Sequence, residues 1–345
     1  MTNYNRILII RTDKIGDVVL STPVITALRS NYPESFIAIM VAPEAREIVE
    51  GNPYLDEVIV FDKNRTHKGF FGTFRITREI KNRHFDLAVI LHTTNRINLI
   101  TFFAGIKKRI GYDRRLSFLL TDKLKDTKYL GKKHEVEYNL DIIKKLGIEF
   151  SSPKPFIPLK DDSEKYIEDI LRKNGITEKD KIVVLHPGAS CVSKRWPFER
   201  FSELADILAR DFLVKIIIVA SKDQKNLADL TLVNMKEKAI NLAGIVSISQ
   251  LASLLRRASL FISNDSGPVH IASALDTPVI SIFGRKQAGL SPKRWRPFGA
   301  QDKFLHKDAG CIECHAHNCV KNFICLKTIT VNDVIDMAKS ILNSR

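Results

Sequence analysis

The sequence predicts an α/β fold made of two doubly wound domains, each a parallel sheet with helices on both faces. Short apolar runs alternate with segments of helical spacing along the chain, which is typical of this fold class. At 345 residues the chain exceeds the usual limit for one core. Three prolines within residues 153–158 predict a linker, because proline resists helix and central strand alike. We therefore expect domains at 1–152 and 159–345.

The first half of the chain contains four apolar runs of strand length, bounded by polar or turn-forming residues. They predict strands at 6–11, 36–41, 57–61 and 87–91. Apolar residues recur at helical spacing between them. This spacing predicts helices at 18–31, 43–50 and 70–83 and a fourth that ends near Ala104. Pro23 falls within the first turns of the first helix, where proline is tolerated.

The second half repeats the pattern. Strands are predicted at 181–185, 213–220, 239–241, 260–262 and 278–283. Helices are predicted at 198–210, 222–235, 249–258, 271–275 and 331–342, and the sequence does not assign the last of them to either domain. Doubly wound sheets bind ligands at the carboxyl ends of their strands. Two such domains therefore predict a cleft between two sets of strand ends.

The net charge of +15 is concentrated in one stretch of the chain. Residues 63–115 carry thirteen Lys or Arg against three Asp or Glu, which predicts either a solvated basic surface or a face for an anionic partner. Nucleic acid is the least favoured partner, because no binding motif or aromatic platform is present. No apolar run approaches the roughly 20 residues that span a bilayer. Without a signal-peptide layout at the N-terminus, we expect a cytosolic protein.

Four of the five cysteines cluster near the C-terminus, at Cys311, Cys314, Cys319 and Cys325. A structural disulfide framework is not expected in a cytosolic chain. The spacing C-x2-C-x4-C-x5-C does not match the common zinc ribbon. Reduced, partly buried thiols are the default interpretation and a bound metal is the alternative.

Polar motifs follow three of the predicted strands. After the last of these strands, residues 263–270 carry Asp265, Ser266, Gly267 and His270 and lead into a helix with Pro268 at its first position. Such a helix start offers unpaired N–H groups and the positive end of a dipole, which bind phosphate. Either this is a phosphate site or it is an ordinary strand–turn–helix connection.

The loop at 11–17 follows the first strand and carries the carboxylates Asp13 and Asp17. Gly16 is expected to allow a tight turn. Asp17 is interpreted either as an N-cap that accepts from helix N–H groups or as a catalytic carboxylate that faces the cleft.

The segment 186–197 likewise joins a strand to a helix. Small residues and the hydroxyl of Ser190 suit a close approach to phosphate, and Lys194 supplies a mobile positive charge. A loop with solvated charges is the alternative.

The chain lacks a Walker motif and a Gly-x-Gly-x-x-Gly sequence. It also lacks an Asp-x-Asp pair at a strand end, since Asp161 and Asp162 are assigned to the linker region. A mechanism without metal or cofactor is therefore favoured.

Together these motifs resemble glycosyltransferase family 9, the bacterial lipopolysaccharide heptosyltransferases, over nearly the whole chain. The resemblance rests on residues 7–17 with Thr22-Pro23, Gly111-Tyr112, 194–197 and 265–270. The resemblance implies the GT-B architecture, in which two Rossmann-like domains face each other across a cleft. The first would bind the acceptor and the second the nucleotide sugar. The implied reaction is inverting transfer of heptose from ADP-heptose to Kdo or heptose on the inner core.

The resemblance also implies roles for individual residues. Asp17 would be the general base, and Lys194 would stabilise the leaving diphosphate. The residues implied to hold the donor are Ser190, Gln224, Asp265, Ser266, Gly267 and His270. The residues implied to hold the acceptor are Lys14, Arg96 and Arg109. No metal ligand is implied.

The implied acceptor is an anionic lipid A–Kdo type glycan, which places the protein at the cytoplasmic face of the inner membrane as a peripheral partner. The helix at 70–83 sets Phe70, Phe71 and Phe74 beside basic residues. It would either rest on the membrane surface or pack into the core with a basic outer face.

Two departures from the family lie on the donor side. Gln224 stands where a ribose-binding Glu is expected, and Arg285-Lys286-Gln287 stand where Pro-Thr-Asp is frequent. These motivate a second hypothesis, transfer of another nucleotide sugar to a surface glycan. A third is a non-catalytic binding protein for nucleotide sugars or anionic glycans.

Overall fold

The computed structural model describes residues 3–150 and 154–343, which form two compact units that divide between Pro158 and Leu159. Pro153, the first residue of the predicted linker, lies outside the described residues, and residues 154–158 form neither helix nor strand. Each unit contains one sheet of parallel strands. Parallel strands need crossover connections, which accounts for the helices between them.

The first unit has six strands within residues 3–150. They are β1 (Arg6–Arg11), β2 (Phe36–Val41), β3 (Glu57–Val60), β4 (Leu87–Ile90), β5 (Lys108–Asp113) and β6 (Asp122–Lys125). Its helices are α1 (Ile15–Val19), α2 (Thr22–Asn31), α3 (Arg46–Val49), α4 (Gly69–Lys81), α5 (Asn95–Phe103) and α6 (Glu135–Lys144). The sheet order is β3-β2-β1-β4-β5-β6, so the order reverses between β1 and β4. Ligands of such sheets bind at the carboxyl ends beside that reversal.

The second unit has six strands within residues 154–343. They are β7 (Ile182–His186), β8 (Lys215–Ile218), β9 (Ala239–Asn241), β10 (Leu260–Asn264), β11 (Val279–Phe283) and β12 (Lys303–His306). Its helices are α7 (Asp161–Lys173), α8 (Phe198–Phe212), α9 (Lys225–Val233), α10 (Ile248–Arg257), α11 (Gly267–Ala274), α12 (Pro292–Trp295), α13 (Ile324–Lys327) and α14 (Val331–Leu342). The sheet order is β12-β11-β10-β7-β8-β9, with its reversal between β7 and β10.

Helices cover both faces of each sheet, so the central strands are apolar throughout. Residues 7–10 of β1 are fully buried. On one face of this sheet, Ile76 and Ile80 of α4 share a core with Ile97 and Ile100 of α5. Burial of such side chains contributes about 1.5–3 kcal/mol each. Among the described residues, every helix is too short or too polar to cross a membrane.

The C-terminal helix α14, which the sequence did not assign to a domain, packs in the second unit. It contacts α8, β10 and β11. Val334 and Ala338 of α14 lie in the same apolar core as Trp196, whose Nε1 donates to the Ile329 carbonyl oxygen at 3.0 Å.

The predicted helix at 18–31 is wrong in its boundaries, because two helices occupy this region. The helix α1 begins at Ile15 and ends at Val19, and α2 begins at Thr22 with Pro23 as its second residue. Continuous helix would place the Pro23 ring against the carbonyl group of Val19. The chain therefore bends at Ser21 and starts a new helix.

Seven of the described elements were not predicted: β5, β6, β12, α6, α7, α12 and α13. The edge strand β6 reads Asp-Lys-Leu-Lys, and charged side chains on an edge strand protect it from pairing with another chain. Asp161 and Asp162, assigned to the linker from the sequence, instead begin α7, where carboxylates are stabilised by the helix dipole.

Candidate functional site

In the first unit, charged side chains gather where β1 ends. Arg11 is the last residue of β1 and is 2% exposed. Its Nε donates to Asp13 Oδ1 at 2.8 Å, and its Nη1 donates to Glu135 Oε1 at 3.2 Å and Asn139 Oδ1 at 3.1 Å. Its Nη2 donates to Asp17 Oδ1. One guanidinium thus holds the two carboxylates of the loop and the N-terminal part of α6 together.

Glu135 brings a second cation to this centre. Its side chain is fully buried, and Lys128 Nζ lies 2.7 Å from its Oε1. The centre therefore combines two cations, Arg11 and Lys128, with three carboxylates, Asp13, Asp17 and Glu135. We call these five residues the Arg11 centre.

Burial and, to a lesser extent, the nearby carboxylates Asp13 and Glu135 raise the pKa of Asp17, and together they outweigh the opposing effect of Arg11, so that the pKa is about 6. The same carboxylates hold the pKa of Arg11 above its ordinary value although burial lowers it. A carboxylate with a pKa just below neutral is a stronger base than an ordinary Asp and is still ionised at pH 7. The arrangement therefore suits abstraction of a proton from a hydroxyl group.

The structure does not support the N-cap interpretation of Asp17. The N-cap of α1 is Lys14, and Asp17 is the third helical residue. The Asp17 carboxylate accepts from Arg11 rather than from the N–H groups of α1. Its side chain is thus held by a guanidinium group at the strand end.

His92 lies beside this centre, with its Nδ1 3.2 Å from Thr12 Oγ1. Burial, together with the positive charge of Arg11, lowers the pKa of His92 to about 4. A neutral imidazole at pH 7 adds a polar group without adding charge. His92 was not among the residues that the sequence motifs predicted.

Of the three residues expected to bind the acceptor, Lys14 and Arg96 lie close to the start of a helix of this unit. Lys14 is exposed, three residues before Asp17. Arg96 lies in the first turn of α5, where its Nε donates to Thr73 Oγ1 at 2.9 Å and its Nη2 donates to the His67 carbonyl oxygen. Lys14 is therefore accessible to a ligand, whereas Arg96 connects α5 to the start of α4.

Arg109 is not brought to the strand ends. It is the second residue of β5, in register with Ala88 of β4, which pairs with Leu8 of β1. This level is three residues before the end of β1. Its Nε donates to the Leu119 carbonyl oxygen at 2.8 Å. The Arg109 side chain thus fastens a neighbouring loop.

In the second unit, the strand ends carry a cluster of hydroxyl groups around a histidine. His186 Nδ1 lies 3.0 Å from Ser263 Oγ and 3.3 Å from Ser266 Oγ, and these two oxygens are 2.9 Å apart. Burial lowers the pKa of His186 to about 4, so the ring is neutral at pH 7. Ser266 is the N-cap of α11 but makes no side-chain cap bond. Its hydroxyl group is instead oriented by His186 and Ser263.

Asp265 is the acidic centre of this edge and contacts two cations. Lys194 Nζ lies 2.9 Å from Asp265 Oδ2, and Arg285 Nη2 donates to the same oxygen at 3.0 Å. Arg285 is 6% exposed, and among the described residues its Nε has no hydrogen-bond partner. Three charged groups with a net positive charge thus meet at the ends of β10 and β11. This is suited to an anionic ligand.

Gln224 reaches the loop that follows β7. A Cβ atom on Gly188 would lie 2.2 Å from Gln224 Oε1, so glycine at this position leaves room for the Gln224 amide group in its present place. Asn264 Nδ2 donates to the Pro187 carbonyl oxygen at 2.8 Å, and Asn264 Oδ1 accepts from the backbone N–H of Trp196 at 2.9 Å. The loops after β7, β8 and β10 therefore lie together, as the motifs predicted.

Gly16, which was expected to allow a tight turn, lies in a helix, and so does Gly267 of the phosphate motif. Gly16 is the second residue of α1 and Gly267 is the first residue of α11, and neither has a positive φ. Pro268 is the second helical residue rather than the first. The chain bends instead just before each helix, at Asp13 and at Asp265–Ser266, and the N-cap residues Lys14 and Ser266 are extended. Glycine at these positions leaves the first helical turn open to close approach.

The remaining donor candidates differ in accessibility. Ser190 is exposed in the loop after β7, whereas His270 is buried in α11. The sequence assigned no site role to Arg11, Glu135 or His186, and it marked Arg285 only as a departure from the family. Each is a charged or titratable residue at the end of a buried strand or in a helix that covers it. The signal for Arg11 is a cation directly after four apolar residues, because a buried charge requires partners.

The C-terminal cysteines are free thiols and line a cavity of about 440 Å³ next to Arg285 and Lys286. Cys314 accepts hydrogen bonds from the backbone N–H groups of Lys286, Gln287 and Ala316, which lower its pKa although burial opposes them. Across residues 3–150 and 154–343, no three His, Cys, Asp or Glu side chains are arranged to hold a metal ion.

Comparison with known proteins identifies the family. The model of glycosyltransferase family 9 (heptosyltransferase) matches residues 73–324, well over half of the chain. Lipopolysaccharide heptosyltransferase 3 of Escherichia coli K12 is 28% identical over 297 residues, which cover 82% of each chain.

Solved structures share the fold of the whole chain. The glycosyl transferase family 9 protein of Veillonella parvula superposes with a TM-score of 0.90 at 24% identity, covering 100% of this chain and 99% of that one. The ADP-heptose lipopolysaccharide heptosyltransferase II of E. coli gives a TM-score of 0.79 at 20% identity, covering 98% and 99%. The predicted α/β fold class, with two Rossmann-like domains as in the GT-B architecture, is thereby confirmed.

Proposed function

The chain belongs to glycosyltransferase family 9, and from this premise we propose that it transfers a heptose from ADP-heptose to Kdo or heptose on the inner core of lipopolysaccharide. The observation that carries the proposal is the buried Asp17 carboxylate, whose pKa of about 6 suits a general base at neutral pH. The similarity to heptosyltransferase 3 and to an ADP-heptose-dependent enzyme supports the choice of donor.

In the proposed reaction, Asp17 accepts the proton of the acceptor hydroxyl group as that oxygen attacks the anomeric carbon. The bond from this carbon to the diphosphate breaks on the opposite face, so the anomeric centre is inverted and ADP leaves with the electron pair. Arg11 orients Asp17 throughout. Removing the proton during attack contributes typically 10²–10⁴-fold to the rate.

We assign the leaving diphosphate to the second unit. Lys194 Nζ is 2.9 Å from Asp265 Oδ2, which also accepts from Arg285. When phosphate binds, Asp265 retains Arg285 as its partner, so Lys194 is released to meet the developing negative charge. Ser190, Ser266, Gly267 and the start of α11 would bind phosphate oxygens, and this supply of positive charge makes a bound metal unnecessary. Gln224, Asp265 and His270 would hold the nucleoside and sugar.

Lys14 is the acceptor-binding residue that its exposure favours, because an inner core rich in carboxylates and phosphates attracts an accessible ammonium group. Arg96 and Arg109 would act on the acceptor through the elements that they hold in place. The acceptor is anchored in a membrane, so we place the reaction at the cytoplasmic face of the inner membrane.

A second candidate is transfer of a different nucleotide sugar, and Arg285 favours it. Its buried guanidinium occupies a donor-side position where the family frequently has Pro-Thr-Asp, and it pairs with a donor-binding candidate. A cation at this position alters which groups of the nucleotide sugar can be held. A purely binding function is disfavoured by membership of an enzyme family.

The experiment is a transfer assay with purified protein in EDTA, in which ADP-, GDP- and UDP-sugars are offered with truncated core acceptors. We expect ADP release only with ADP-heptose and a Kdo- or heptose-terminated acceptor. Asp17→Asn should lower kcat by about 10²–10⁴-fold with donor affinity unchanged. Asp13→Asn is the matched control, since it removes a carboxylate of the same loop and should retain most turnover. Turnover with another donor selects the second candidate, and near-full activity of Asp17→Asn contradicts the base assignment.

A further inference from the structure

Six phenylalanines on the first unit point into solvent. They are Phe70, Phe71 and Phe74 of α4, Phe102 and Phe103 at the end of α5, and Phe118 in the short 3₁₀ turn at 117–119, with exposed fractions from 43% to 85%. The helix α4 packs against α5, and the turn at 117–119 packs against α5 as well. The six side chains therefore lie on three elements that pack together, and we call this set of exposed rings the phenylalanine surface. Patches of this kind mark interaction sites.

The helix α4 does not bury these rings in its own core. Its buried positions are Gly72, Ile76 and Ile80, one turn apart on a single face. Phe70 and Phe74 lie one turn apart on another face. The helix is therefore packed into the core through its isoleucines and has a basic outer face, as one of the two interpretations of the sequence predicted. Its three phenylalanines remain exposed, which leaves them available to a surface as the other interpretation requires.

The phenylalanine surface is held in place by the fold. Arg96 of α5 donates to Thr73 Oγ1 and to the carbonyl oxygen of His67, immediately before α4. A Cβ atom on Gly72 would lie 2.2 Å from the His67 carbonyl carbon, so the helix start sits directly on that segment. The exposed rings of α4 therefore lie on a helix whose N-terminal end is held in place by Arg96 and the His67 segment.

Basic side chains surround the phenylalanine surface. Lys68, Arg78, Lys81, Lys107 and Arg115 are exposed, and among the described residues none of them makes an ion pair. The acidic residue of α4, Glu79, is already paired with Arg75 at 3.3 Å. The charge around the rings is therefore positive and is available to an anionic partner.

We propose that the phenylalanine surface docks on an anionic phospholipid bilayer, with the rings inserted at the boundary between headgroups and acyl chains. Apolar side chains flanked by cations bind such an interface by burial together with attraction to lipid phosphates. A second copy of this chain fits poorly, because pairing the surface with itself would bring like charges together. The inference deepens the proposed function, since a lipid-anchored acceptor is presented at the same boundary.

The test is co-sedimentation of the full chain with vesicles of phosphatidylethanolamine and phosphatidylglycerol, which contain no glycan acceptor. We expect binding to these vesicles and at least about tenfold weaker binding to phosphatidylcholine. The triple variant Phe70→Ala/Phe71→Ala/Phe74→Ala should bind at least about tenfold more weakly than the parent. Leu230→Ala/Val233→Ala removes exposed apolar side chains from α9 of the other unit and should leave binding unchanged.

Charge is tested separately with Arg78→Glu/Lys81→Glu, which should weaken binding and reduce its dependence on salt. Equal binding of the triple variant and the parent would overturn the inference. The inference would also be overturned if neither protein bound vesicles and the parent formed a dimer that the triple variant did not form. Turnover on a water-soluble truncated acceptor, expected to be equal for both proteins, separates this inference from the proposed function. If no donor supports turnover, the proposed function fails and the vesicle result still decides the inference.

Discussion

At the scale of single residues, the position of Asp17 in the Arg11 centre determines its chemistry. Arg11 orients the carboxylate, while burial and two further carboxylates keep its affinity for protons high. The sequence predicted Asp17, Lys194 and Asp265 because each lies in a motif directly after a strand. It could not predict Glu135, because the hydrogen bond to Arg11 joins residues 124 positions apart.

The pKa of Asp17 gives the enzyme a defined pH dependence. A general base must be ionised, so kcat/KM should rise with pH to a plateau and be half the plateau value near pH 6. At pH 5 it should be about tenfold below the plateau. Measurement of kcat/KM for the acceptor against pH, with the nucleotide-sugar donor at saturation, checks this. Asp13→Asn removes a negative charge that raises the pKa of Asp17, and its midpoint should therefore move to lower pH. A midpoint that stays in place in this variant would contradict the assignment.

At the scale of elements, the bounds were predicted correctly where burial requires apolar side chains along the whole element. The strand at 6–11 and the helix at 331–342 have the predicted bounds, because both faces of one and the inner face of the other are apolar. The missed strands β6 and β12 are edge strands of four residues, too short to stand out as apolar runs, and α7 begins with carboxylates that resemble a loop. Local patterns do not report these elements, since their pairing partners lie elsewhere in the chain.

The start of α4 should be sensitive to a single methyl group. Gly72→Ala would bring a Cβ atom to 2.2 Å from the backbone of His67, which must then move. We expect the free energy of unfolding to fall by about 1–3 kcal/mol. Arg78→Ala on the exposed face of the same helix is the control, with a change of about 0.5 kcal/mol or less. Urea unfolding measures both, and equal midpoints would mean that α4 shifts without cost.

At the scale of the whole molecule, each unit has its own sheet and its own apolar core. Because α14 belongs to the second core, a division of the chain between residues 158 and 159 leaves both cores whole. Domains with separate cores can fold alone.

We therefore expect fragments 1–158 and 159–345 each to unfold cooperatively when produced separately. Circular dichroism in increasing urea provides the measurement. Fragment 159–330 lacks α14 and loses Val334, Ala338 and Ile341 from the second core, so it should show a much lower midpoint or none. If either complete fragment lacked a cooperative transition, the two units would depend on each other for stability.

The raised pKa of Asp17 in the Arg11 centre also lowers the stability of the folded protein at neutral pH. The pKa of Asp17 is higher in the folded chain than its ordinary value of 3.8. The native state therefore gains from the proton of Asp17 below pH 4, and this contribution is lost as the pH rises through about 6. At neutral pH the folded protein carries a negative charge that its surroundings oppose. We propose that this cost is retained because the same charge accepts the proton of the acceptor hydroxyl group.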